Sequence, residues 1–235
     1  MIVVDNLSVR YGGVTSLDGL SLTFEAGICG LIGPNGAGKT TFFNVLSGFV
    51  RPASGTVTAF GDDLLKLTHF RRARWGLRRT FQTEQAISDL SVYDNVAMIT
   101  SPLRGAARRA DVLTGIDFAG LGAKSAAKVG TLSAGERRLV EVARAVVGKP
   151  RLILLDEPAA GLPDAETAQL TSVIRAVPKH TGALTILVDH DMSLVSAVCG
   201  TTAVLDFGKL IASGPTASVL RDERVMRAYL GTAEV

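Results

Sequence analysis

Gly33-Pro34-Asn35-Gly36-Ala37-Gly38-Lys39-Thr40 is the stretch on which the reading of this chain turns. An apolar run, residues 28–32, leads into it, and a helical pattern, residues 40–49, leads out. It is therefore a glycine-rich turn between a buried strand and a helix, the setting that the P-loop pattern G-x-x-x-x-G-K-[ST] requires. The glycines let backbone amides turn inward around phosphate oxygens, and the following helix N-terminus adds partial positive charge. In that role Lys39 reaches the β- and γ-phosphates and the Thr40 hydroxyl ligates Mg²⁺.

Working outward, short strands are expected at residues 2–9, 21–24 and 56–60. Near-continuous apolar runs at 152–155 and 184–188 alternate with helical patterns at 137–147 and 165–177. Such alternation predicts a parallel sheet covered by helices, an α/β fold. Residues 84–130 are rich in Ala, Arg and Gly without a continuous apolar strand, and read as a small helical insertion. In the tail, residues 218–231, Val225, Met226, Tyr229 and Leu230 fall at helical spacing and predict a helix on the core.

The composition, 47% apolar and 20% charged over 235 residues, suits an ordinary globular core and excludes disordered and collagen-like chains. The longest stretch free of Asp, Glu, Lys and Arg is residues 192–205, too short to span a bilayer. The N-terminus lacks a basic n-region and a long apolar segment, so a cytosolic chain is expected. Cys29 and Cys199 lie far apart in apolar stretches and read as reduced core residues. A net charge of +3 is too mild to name a partner. Only Arg71, Arg72, Arg74, Arg78 and Arg79, around Trp75, form a basic cluster. Its plain reading is a solvated helix face, with an anion or nucleic-acid surface as the alternative.

Two further motifs carry chemistry. The run Leu152-Ile-Leu-Leu-Asp156-Glu157 places two carboxylates at the C-terminal end of a buried strand, where ligands of open α/β sheets bind. Asp156 suits Mg²⁺ through its water shell. Glu157 points elsewhere because side chains alternate, and suits a general base toward water. The run Leu132-Ser133-Ala134-Gly135-Glu136 spells an S-x-x-E capping box ahead of a helix, and its small residues let an anion approach. One nucleotide fills only the first of these two helix ends. A dimer in which each chain closes over its neighbour's nucleotide would use both.

Taken together, the P-loop, residues 132–136, the Asp156-Glu157 pair and the downstream His190 resemble the ATPase subunit of an ATP-binding cassette (ABC) transporter. The resemblance covers nearly the whole chain. It implies a P-loop NTPase with a RecA-like parallel-sheet core, an N-terminal antiparallel β subdomain and an inserted helical subdomain. As a single domain over 1–235, the nucleotide-binding core takes 1–82 and 149–235, and the insertion, ending in the signature helix, takes 83–148. The implied nucleotide-binding residues are Tyr11, which stacks on adenine, with Gly33, Pro34, Asn35, Gly36, Ala37, Gly38, Lys39, Thr40, Thr41, Ser133 and Gly135. Glu157, His190 and Gln82 are the implied catalytic set. Thr40, Gln82 and Asp156 are the implied holders of Mg²⁺.

The chain departs from the commonest family pattern in three places. Ala134 and Glu136 stand in the signature, Pro163 stands in the loop after Glu157, and the insertion is short. An acid at 136 fits beside a phosphate only if the helix cap engages it. Arg79-Thr-Phe-Gln82, Asp156-Glu-Pro-Ala-Ala-Gly161, His190-Asp-Met-Ser-Leu194 and Ala228-Tyr-Leu-Gly231 resemble the ATPases of branched-chain amino-acid importers. The expected function is thus an ATP-hydrolysing subunit that powers an importer from the cytoplasmic face of the cell membrane. Its expected partners are transmembrane permease subunits, a second ABC ATPase subunit and, indirectly, an extracytoplasmic solute-binding protein, with permease contacts on the insertion near Arg104 and Arg108. The alternatives are an importer of another small solute, such as urea or another amino acid, and a soluble cassette ATPase acting on nucleic acid. No nucleic-acid partner is expected on the leading reading.

Overall fold

In the computed structural model, which describes residues 1–100 and 105–230, the chain builds two sheets. The first is antiparallel, in the order β2-β1-β4-β5, from β1 (Ile2–Tyr11), β2 (Val14–Phe24), β4 (Ser54–Ala59) and β5 (Asp62–Asp63). The second contains β3 (Ile28–Ile32), β6 (Leu77–Arg79), β7 (Leu152–Asp156), β8 (Leu184–Val188), β9 (Thr201–Asp206) and β10 (Lys209–Pro215). Its order is β10-β9-β3-β8-β7-β6, parallel except for β10, which returns antiparallel along β9.

Alternation along the central strands divides the interior into two cores. Cys29 and Leu31 of β3, Leu152 and Leu154 of β7, and Leu184 and Ile186 of β8 face the antiparallel sheet and helix α1 (Lys39–Ser47), whose Phe42 and Phe43 are fully buried. Ile28 and Ile32, Ile153 and Leu155, and Leu187 face the other way. They meet α5 (Ala134–Val146), α6 (Asp164–Thr181) and α7 (Met192–Val198). Burial on both faces is why these strands read as unbroken apolar runs. The helical insertion is α3 (Val92–Ala97) and α4 (Gly105–Phe118), packed on α5. The tail forms α8 (Thr216–Val219) and α9 (Glu223–Leu230), and Val225 of α9 is buried in the same core. Both cysteines are free and buried. Among the described residues no helix is long and apolar enough to cross a membrane.

The arginine cluster is not a solvated helix face. Helix α2 (His69–Trp75) ends at Gly76, and Arg78 and Arg79 lie on β6, the edge strand beside β7. Arg72 is 4% exposed and donates to the Val45, Leu46 and Leu67 carbonyls, setting a cation against the last turn of α1. Arg78 donates to the carbonyls of Ala73 and Gly148. Arg79 turns inward, and only Arg71 and Arg74 remain exposed. Free carbonyls and a carboxylate draw the guanidinium groups in, a feature that no charge count reveals.

Polar anchoring holds the insertion alongside its apolar packing. Asn95 of α3 is fully buried; its side-chain oxygen accepts from the Ile87 amide at 2.8 Å and its Nδ2 donates to the carbonyls of Ile87 and Ser91, both at 3.0 Å. Asn95→Ala strands these backbone groups and should cost about 2 kcal/mol. For a chain of this size that is a fall of about 4–8 °C in the unfolding midpoint, measurable by circular dichroism. An unchanged midpoint would show that solvent serves the 87–91 turn equally well.

Candidate functional site

The turn after β3 is built by steric exclusion. Gly33 (φ 149°) and Gly38 (φ 101°) occupy backbone regions that side chains avoid. A Cβ at Gly33 would fall 2.1 Å from the Leu205 carbonyl, and one at Gly38 would fall 2.7 Å from the Ser16 carbonyl. Between them Pro34, Asn35, Gly36 and Ala37 form the loop, closed by the Ala37 amide donating to the Pro34 carbonyl. Helix α1 starts at Lys39 with no side-chain cap and no acid in its first turn, so its N-terminus is open to an anion. Lys39 folds back over the loop and donates to the carbonyls of Gly33 and Pro34 at 2.6 and 2.8 Å. Burial lowers its pKa, opposed by the charges of Glu157 and Asp156. Thr40 is exposed, and the Thr41 hydroxyl pairs with Ser16 of β2 at 2.7 Å. Two residues before Ser16, Val14 pairs with Tyr11, so the half-exposed tyrosine stands at the tip of the β1–β2 hairpin that borders the loop.

Asp156 closes β7 in register with Val188, the last residue of β8. Its carboxylate is buried and accepts from Arg79 Nη2 at 2.9 Å. Burial raises its pKa, and Arg79 and Lys39 oppose the rise. Glu157 leaves the strand in a left-handed conformation (φ 47°), with its amide on the Val188 carbonyl at 2.8 Å. That turn sends its side chain to two partners. Gln82 Nε2 donates to one carboxylate oxygen at 2.8 Å, and His190 Nε2 donates to the other at 2.7 Å. Three residues from distant parts of the sequence thus meet on one carboxylate.

Asp156, Thr40 and Gln82, the residues expected to hold Mg²⁺, all offer oxygen donors. Hard oxygen donors with few carboxylates suit Mg²⁺, which takes its remaining ligands from water and phosphate. Among the described residues no cluster of three or more His, Cys, Asp or Glu residues offers an alternative metal site.

Ser133 and Gly135 lie elsewhere, at the N-terminus of α5. The capping box is complete: Ser133 Oγ accepts from the Glu136 amide at 3.2 Å, and Glu136 returns an oxygen to the Ser133 amide at 3.1 Å. Lys124 pairs with the other oxygen of Glu136. The acid at 136 is therefore engaged by the cap, as its position requires. The Gly135 amide donates to Glu166 of α6 at 2.8 Å. The body of α5 reaches the Gln82 loop: Arg138 donates to the Gln82 carbonyl at 3.0 Å, and Glu141 accepts from the Gln85 amide at 2.7 Å. Sequence reading missed Ser16, Arg79, Arg138 and Glu166 at this site. Only Arg79 carried a signal, a charge three residues before Gln82 on a short strand.

The sequence profile of the family described as ABC transporter matches residues 17–160, and that of the Branched-chain amino acid ATP-binding cassette transporter matches residues 209–235. The high-affinity branched-chain amino acid transport ATP-binding protein LivG of Salmonella typhimurium is 35% identical, over 99% of this chain and 98% of its own. The lipopolysaccharide export system ATP-binding protein LptB of Escherichia coli is also 35% identical, over 98% and 97%. Among solved structures, an ATP-binding cassette of an ABC transporter in its ADP conformation superposes with a TM-score of 0.86 at 26% identity, covering 98% of each chain.

The α5 cap can be tested without any ligand. Ser133→Ala removes one half of the box and should cost about 1 kcal/mol. Urea unfolding should show this as a lower midpoint at unchanged slope, and no shift would mean that Lys124 and Glu136 alone hold the helix end.

Proposed function

This chain belongs to the ABC transporter family of ATP-hydrolysing cassettes, and from that premise we propose that it powers a membrane importer of branched-chain amino acids. Overall identity does not choose the cargo, since LivG and LptB are equally similar. The observation that carries the assignment is the match of residues 209–235 to the branched-chain family. The assembled unit pairs two cassettes with permease subunits on the cytoplasmic face of the membrane, and a solute-binding protein delivers the amino acid from outside. The functional division is the nucleotide-binding core, 1–82 and 149–235, and the helical insertion, 83–148.

In this reading the residue 33–38 turn, the α1 amides and the third proton of Lys39 hold the triphosphate, and Thr41 joins them. Tyr11 stacks on adenine. Thr40, Gln82 and Asp156 would hold Mg²⁺, which when bound offsets charge on the β- and γ-phosphate oxygens. Glu157 takes a proton from water as the water oxygen bonds to the γ-phosphorus. The bond from that phosphorus to the β–γ bridging oxygen breaks, leaving ADP and inorganic phosphate. Gln82 and His190 hold the two oxygens of Glu157 and so aim the base. Ser133 and Gly135 serve the nucleotide of the opposite cassette, whose phosphate takes the Gly135 amide from Glu166.

A cleft of ≈ 960 Å³ opens between α2, β6 and α5. The large apolar side chains Phe49, Phe70 and Met98, all substantially exposed, line it beside Phe81 and Gln85. Its apolar rim next to the Gln82 loop suits a permease segment. Arg108 is occupied inside the insertion, donating to Thr100 and the Ala97 carbonyl, and Arg104 lies outside the described residues. The cleft, rather than Arg108, is the surface assigned to the permease.

Glu157→Gln keeps shape and removes the base. Hydrolysis should fall by about 10²- to 10⁴-fold while ATP still binds. The variant should then elute as an ATP-dependent dimer, and Ser133→Arg added to it should return monomer. A Glu157→Gln chain with wild-type turnover would remove the base assignment.

Phe70→Glu, at the cleft, should leave ATPase activity of the isolated chain intact and abolish co-purification with permease subunits from membranes. Deletion of the chain should abolish ATP-dependent uptake of leucine, isoleucine and valine by cells. Undiminished uptake would reassign the cargo.

A further inference from the structure

Arg79 is a buried cation for which the reaction above has no use. Its side chain is 5% exposed and that of Asp156 is 8% exposed. Nη2 donates to Asp156 Oδ2 at 2.9 Å, and Nη1 donates to Asn44 Oδ1 at 2.8 Å and Ser47 Oγ at 3.2 Å, both on α1. The guanidinium carbon stands over the ring of Phe81 at 4.7 Å and that of Phe43 at 5.5 Å. One planar group therefore joins the end of β7, the helix that begins with Lys39 and Thr40, and the neighbour of Gln82.

A buried ion pair is often no more stabilising than apolar residues of the same volume, so stability alone is a weak account of this one. The other cation near Asp156 is Lys39, whose ammonium is taken up with the Gly33 and Pro34 carbonyls. A lysine at 79 would supply a point charge without the fork that reaches Asp156 and α1 together.

We propose that Arg79 is a positioning residue for Mg²⁺-nucleotide: it claims Oδ2 of Asp156, leaves Oδ1 to the metal's water shell, and ties that carboxylate to the helix bearing Thr40. This rests on Asp156 as a metal-holding residue. Groups that orient a metal-holding side chain govern metal affinity without touching the metal.

The test measures binding of a fluorescent, non-hydrolysable ATP analogue to the full chain with and without Mg²⁺. Arg79→Met should shrink the Mg²⁺-dependent gain in affinity by about 10- to 100-fold and leave metal-free affinity unchanged. Arg79→Lys should recover part of the gain. Should Arg79→Met not fold, Asn44→Ala, which cuts only the tie to α1, should lose a smaller part of the gain at wild-type metal-free affinity. A folded Arg79→Met chain with the full gain, or an equal fall in both affinities, would overturn the proposal. So would an unaltered gain in Asn44→Ala where Arg79→Met does not fold. Asp156→Asn is the reference. If it loses the gain and Arg79→Met does not, only the role of Arg79 falls. If Asp156→Asn keeps the gain, the metal assignment falls, and the role of Arg79 with it.

Discussion

Burial of β3, β7 and β8 on both faces is the constraint from which the site follows. Strands covered on both sides admit no charge along their length, so polar chemistry collects where they end. Ile32, Asp156 and Val188 are the last residues of adjacent strands. The chain then leaves the sheet through Gly33, Glu157 and Asp189, and at Gly33 and Glu157 the backbone turns left-handed. The residue 33–38 turn, the Asp156 carboxylate and Glu157 are thus neighbours because three apolar runs stop at one edge. Gly33 is obligatory for the same reason, since the β9 backbone lies too close for any side chain.

Placing charge at that edge costs desolvation, and the structure offsets it by assigning each group a partner. Lys39 has two carbonyls, Asp156 has Arg79, and Glu157 has Gln82 and His190. The partners of the two carboxylates come from β6, the Gln82 loop and the segment after β8, all distant in the sequence and brought together by the folded core. Assembling the core and orienting the reactive groups are one event. A nucleotide meets the Asp156 and Glu157 carboxylates already held by their partners, which leaves less ordering of these two groups to be done on binding.

Elements with a local signal were legible in the sequence. The P-loop, the apolar runs of β3, β7 and β8, the capping box at Ser133 and the apolar spacing of the tail each rest on neighbouring residues. The structure trims the predicted 40–49 helix to Lys39–Ser47 because Gly48 ends it in a left-handed conformation. What escaped were elements whose identity comes from distant partners. Strand β6 reads Leu-Arg-Arg and is a strand only because β7 offers its edge. The hairpin of β9 and β10, residues 201–215, carries threonines, a lysine and a serine that leave it only short apolar runs, Ala203-Val204-Leu205 and Leu210-Ile211-Ala212. The conformation of Glu157, which brings Gln82 and His190 onto one carboxylate, leaves no trace in residue spacing.

Helix α5 shows how two distant sites share one rigid element. Its N-terminus carries Ser133 and Gly135, the residues assigned to the opposite cassette's nucleotide. Its body holds the Gln82 loop by the backbone, through Arg138 on the carbonyl of Gln82 and Glu141 on the amide of Gln85. Arg137 adds an ion pair to Glu84, and Arg144 donates to the Gln85 carbonyl. Four side chains on one 13-residue helix grip a stretch of four residues. A displacement of the helix's N-terminal end therefore moves the Gln82 loop with it unless these bonds break. Bonds to backbone carry that displacement whatever side chains the loop bears. The loop borders the apolar cleft as well, so on the function proposed above a segment seated there and a phosphate at the helix tip would act on the same body. Their mutual influence needs no chain of small side-chain rearrangements between them, only the stiffness of α5.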